Sequence, residues 1–83
     1  MEITIIPARV AQAVSEVNRM IANTGFNRLE LLFALSEMTG RMVVSTAESP
    51  IQAKELTGIA FAHMSKTITI GMQAQKESVI ERL

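Results

Sequence analysis

Three start signals cut this chain into helical stretches. Pro7, Asn27 with Glu30 three residues on, and Ser49-Pro50 with Gln52 each stand where apolar residues begin to recur every three or four positions. Proline suits a first helical turn because its missing N–H has no helical acceptor there. Asn or Ser at the cap, with Glu or Gln three residues later, satisfies two otherwise orphaned donors reciprocally. The spacing therefore predicts helices over Pro7 to Ala22, Arg28 to Thr46 and Pro50 to Arg82, each boundary within about three residues.

The first stretch is a one-sided amphipathic helix. Val10, Ala13, Val14, Val17, Met20 and Ile21 share a stripe, and Arg9, Gln12, Glu16 and Arg19 lie off it. Asn23-Thr24-Gly25 follows, with Gly25 expected to take the left-handed conformation that closes many helices. The second stretch carries Leu29, Leu31, Leu32, Phe33, Leu35, Met38, Met42 and Val43, an apolar surface wider than one helix contact needs, with Phe26 placed to staple against Leu31. Gly40 and Met42-Val43-Val44 are expected to fray or kink its second half. In the third stretch Phe61, Ile68, Met72, Val79 and Leu83 form one stripe. Beside it runs a stripe of mostly small residues: Thr57, Ala60, Met64, Thr67, Gly71, Ala74 and Ser78.

The fold class expected is all-α, a three-helix bundle or helical hairpin in a single domain, 1–83, with residues Glu2 to Ile6 as a short extended arm. The alternative is a small α+β fold, because Lys66-Thr67-Ile68-Thr69-Ile70-Gly71 alternates like a strand and would then pair with Met42 to Ser45 or with Glu2 to Ile6. A continuous helix is favoured, since both flanks keep helical spacing in register across that segment.

Composition bounds what such a fold can do. A chain of 83 residues buries only about 60–65% of the surface its unfolded form exposes, so a lone core is marginal. There is no Cys for a disulfide and no cluster of His or acidic residues for a metal, which leaves oligomerisation as the usual reinforcement of a small domain. Of its residues 48% are hydrophobic, and three Phe are the only aromatics. That apolar content is more than one small core uses, and some is expected to meet another chain. Eight Lys plus Arg balance eight Glu, scattered without a basic block, which argues against nucleic acid or an anionic membrane surface as partner. The longest apolar run, Leu31 to Leu35, is too short for a membrane span, and no signal-like run opens the chain. A cytoplasmic protein is expected, export without a cleaved signal remaining open.

Catalytic chemistry finds little here. Asp, Cys, Trp and Tyr are absent, and His63 is the sole histidine, with Ile59, Ala60, Lys66 and Thr67 at helical spacing and hence no ligand or acid beside it. Its expected role is structural, half-buried or at an interface. None of the serines sits in a Gly-x-Ser-x-Gly elbow, and no glycine loop cradles phosphate. Glu77 with Glu81, and Glu37 with Arg41, are expected to be solvated helix faces. The methionines beyond Met1 fit an aliphatic core first and an adaptable binding surface second. No catalytic residue, cofactor or metal is assigned.

The expected function is non-enzymatic: a structural subunit that homo-oligomerises through Leu32, Met38, Met42, Ala60, Met64, Thr67, Gly71 and Ala74. Gly71 stands out among them, because a glycine disfavours its own helix by about 1 kcal/mol and so suggests close approach of another backbone. The alternative is a small binding protein or inhibitor that docks a helix face on a larger protein.

From Ser49 onward, a Ser-Pro start, one long helix containing alanine and methionine, and the ending Val79-Ile80-Glu81-Arg82-Leu83 resemble the C-terminal helix of type III secretion inner-rod and needle subunits. The resemblance implies a short helical protein that polymerises. It spans 35 of the 83 residues and rests on no diagnostic residue; the first half carries no match, and the chain is not assigned to that family.

Overall fold

In the computed structural model, which describes the backbone of residues 4–82 and the side chains of residues 4–78, three helices follow one another. They are α1, Pro7–Ala22; α2, Arg28–Thr46; and α3, Pro50–Arg82. No strand occurs among the described residues, so the fold is all-α and the α+β alternative falls. Glu2 and Ile3 of the expected arm lie outside the described residues, as do Leu83 and the side chain of Val79 on the α3 stripe.

Each boundary has a local cause. Ile6 caps α1 in an extended conformation (φ −105°, ψ 109°) with no side-chain bond, and its carbonyl accepts the N–H of Arg9 and of Val10 at 3.0 and 3.1 Å. Pro7 leaves one fewer orphan donor in that turn. At α2 the expected reciprocal cap forms in full. The Glu30 N–H donates to Asn27 Oδ1 at 2.8 Å, and the Asn27 N–H donates to Glu30 Oε1 at 2.9 Å. At α3 the Gln52 N–H donates to Ser49 Oγ at 3.1 Å, but the Gln52 side chain reaches one residue further than expected and accepts from the Glu48 N–H at 2.6 Å.

The end of α1 corrects the sequence expectation. No glycine among the described residues has a positive φ, so Gly25 is not a left-handed terminator. Donors from Asn23 and Thr24 take its place. Asn23 (φ −102°, ψ 12°) gives its N–H to Met20 O at 3.2 Å and its amide Nδ2 to Arg19 O at 3.0 Å, while the Thr24 N–H and hydroxyl both reach Ile21 O. With the carbonyls of Arg19, Met20 and Ile21 already satisfied, these bonds close the helix without a left-handed turn.

Lys66 to Gly71 are helical. That short run has no Pro, Asn or Asp at its ends to break the helix, and a helix already nucleated gains one hydrogen bond per residue by continuing. The threonines take part: Thr67 Oγ1 donates to His63 O at 3.0 Å and Thr69 Oγ1 to Ser65 O at 2.9 Å. Likewise α2 runs through Gly40 to Thr46.

The residues form two compact units, Met1–Arg41 and Met42–Leu83, with α2 running through the division. The first holds α1 and most of α2, the second the last turn of α2 and α3. No described residue in either is buried. Among the described residues of the first unit only Ile21 and Leu31, on either side of the α1–α2 turn, reach intermediate exposure. In the second, Val43, Ala47, Gln52, Ala53, Leu56 and Ala60 do so around the α2–α3 turn, with Ser65 and Ser78 further along.

The reciprocal cap is the testable feature. Asn27→Ala should lower stability by about 1 kcal/mol, read by urea denaturation followed by far-ultraviolet circular dichroism. Because the two bonds close one ring, Glu30→Ala added to it should cost less than the sum of the singles.

Candidate association surface

Along α1 the expected one-sidedness is present. Val10, Val14, Val17 and Met20 share one side and stay exposed, whereas Glu16 and Arg19 meet on the polar side at 3.1 Å. The four apolar side chains are held in register by the helix alone. At roughly 1 kcal/mol for the remaining area of each, covering that side is worth as much as many contacts inside a small domain.

On α2 the proposed contact residues Leu32, Met38 and Met42 lie on one side together with Leu35, all exposed. A second apolar side runs along Leu29, Phe33 and Val44, where Val44 is 77% exposed. Val44 falls on no stripe read from the sequence, although its spacing of 11 from Phe33, three helical turns, puts it on this side. Glu37 and Arg41 form the expected surface pair at 2.7 Å between these sides.

The remaining proposed contacts, Ala60, Met64, Thr67, Gly71 and Ala74, fall on one side of α3 with Ala53, Leu56 and Thr57. Lys54, Glu55, Lys66, Lys76 and Glu77 all lie off that side. Its hydroxyls are turned inward: Thr57 Oγ1 donates to Ala53 O at 2.7 Å, as Thr67 Oγ1 does to His63 O. The threonines therefore present methyl groups, and the side is more apolar than its composition suggests. Ala60 is partly covered, and Met64, Thr67, Gly71 and Ala74 are exposed. Ile51, Ile59 and Ile70 are exposed elsewhere on the same helix, Ile51 at 82%. Their spacing of 8 and 11 residues is the sequence signal that groups them.

Two expectations about side chains change. None of Met20, Met38, Met42, Met64 and Met72 fills a core; all five are exposed. His63 is exposed rather than half-buried. Among the described residues no group of three His, Cys, Asp or Glu is placed to hold a metal ion, and no helix is long and apolar enough to cross a membrane. Glu77 accepts from Gln73 Nε2 at 3.2 Å on an exposed turn, and the Glu81 side chain lies outside the described residues.

At Gly71 a Cβ would meet nothing within 4 Å among the described residues, so the close approach its glycine suggested is not made by its own unit. No family model, curated protein or solved structure matches this chain. The resemblance to rod and needle subunits thus rests on residues Ser49 to Leu83 alone.

Gly71 separates a solvent face from a contact face. Within one chain Gly71→Leu meets open space and should raise helicity, by up to about 1 kcal/mol. If the side is a contact, the same change should weaken association by about 1–3 kcal/mol through overpacking, while Gly71→Ala keeps it. Sedimentation equilibrium of the three proteins measures both; an unchanged association constant for Gly71→Leu removes Gly71 from the contact.

Proposed function

We propose that this protein is a structural subunit that works by associating with copies of itself through its helix faces. The observation that carries this is that no described residue is buried while apolar sides run along all three helices. Folding a small domain leaves a net stability of about 5–15 kcal/mol only when apolar burial offsets the conformational entropy lost on ordering. Helices of 16 and 19 residues are near the length at which an isolated helix is marginal in water, and α1 and α2 therefore need cover from outside themselves. A net charge of zero sets up little long-range repulsion between copies. The proposed role involves no catalysis.

Association of this kind couples stability to concentration. Raising the protein from about 1 to 100 μM should raise Tm, because mass action favours the associated folded state. Light scattering after size exclusion should give a mass above 9.1 kDa at micromolar concentration. A folded 9.1 kDa monomer with a concentration-independent Tm would overturn the proposal and favour docking of a helix face on a larger protein.

A further inference from the structure

The exposed apolar side of α1 is self-complementary in one direction only. Val10, Ala13, Val14 and Val17 are spaced three, one and three residues apart, so reversing the helix about a point between Ala13 and Val14 maps Val10 onto Val17 and Ala13 onto Val14. Charge decides between the two ways a second α1 could lie on this side. Arg9 and Glu16 are seven residues, two turns, apart and therefore share one edge of the stripe, while the opposite edge carries Pro7, Ala11 and Asn18. In a parallel pair each charged edge faces the neutral edge of the partner. In an antiparallel pair related by a two-fold axis, like edges meet, and the Arg9 of each copy comes beside the Glu16 of the other, about 3 Å apart in height at 1.5 Å rise per residue. An opposite-charge match therefore arises twice, and only in the antiparallel arrangement.

We propose that α1 pairs antiparallel with α1 of a second copy, about a two-fold axis passing beside Ala13 and Val14, and that the edge contact of Arg9 with Glu16 of the other copy fixes this direction. Glu16 already holds Arg19 at 3.1 Å within its own chain, and its second carboxylate oxygen is available to a further guanidinium. The proposal rests on the self-association put forward above and adds its direction and register.

Because the chain contains no cysteine, single introduced cysteines report the geometry without background. Ala13→Cys lies next to the axis and should form a disulfide-linked dimer readily under mild oxidation. Val10→Cys and Val17→Cys should each link at least about tenfold less, since each stands about 10 Å along the axis from its own copy, beyond disulfide reach. A mixture of the Val10→Cys and Val17→Cys proteins should link one to the other. Charge exchange gives an independent arm: Arg9→Glu or Glu16→Arg alone should weaken cross-linking of Ala13→Cys, and both together should restore it. Equal self-linking at positions 10, 13 and 17 would mean a parallel or unspecific contact and would overturn the proposal. Absence of linking at all three in a protein that light scattering shows to be oligomeric would also overturn it, and self-association through other faces would stand.

Discussion

Hydrogen bonds closed within a single helical turn hold this structure. Every side-chain hydrogen bond and ion pair among the described residues joins positions three or four apart, from Asn23 on Arg19 to Gln73 on Glu77. None of these polar contacts ties one helix to another. Such bonds define where helices begin and end but contribute little net stability each, since water competes for the same groups. What remains to stabilise the chain is apolar burial, and its apolar sides are the part of the surface still uncovered.

This division explains which features were legible from sequence. The bounds of α1, α2 and α3 coincide with those expected, because Pro7, Asn27 with Glu30, and Ser49-Pro50 act within a few residues of where they stand. The α1 stripe was legible for the same reason, as periodicity alone fixes which residues share a side. Gly25 departs from its expected role because two mechanisms compete to close a helix, and donors from Asn23 and Thr24, two residues and one residue before it, close this one. The methionines were misjudged because a stripe states that a side needs covering and is silent on what covers it; Met64 on α3 has the spacing of a core residue and the exposure of a surface one.

The contact residues proposed from sequence occupy coherent sides, Leu32, Met38 and Met42 on α2 and Ala60 to Ala74 on α3, each within one helix. Their grouping follows from helical geometry and was open to sequence reasoning. Leu29 and Phe33 belong to the wide apolar surface expected of α2, whereas Val44 on α2 and Ile51, Ile59 and Ile70 on α3 fall outside every stripe read from the sequence. Wide apolar coverage dilutes the periodic signal by which a single face is recognised, so the helix whose residues are most evenly spread is the hardest to orient. On α1, with its apolar residues gathered on one side, that ambiguity does not arise.

The short reach of the polar contacts also sets a kinetic order. A chain whose contacts are mostly local spends little entropy on closing long loops, and helical proteins of low relative contact order fold in microseconds to milliseconds. Helix formation itself takes about 0.1–1 μs. Under the proposed self-association, the slow event is then the meeting of two chains, a second-order step that dilution retards and that leaves each helix free to form and melt many times before a partner arrives.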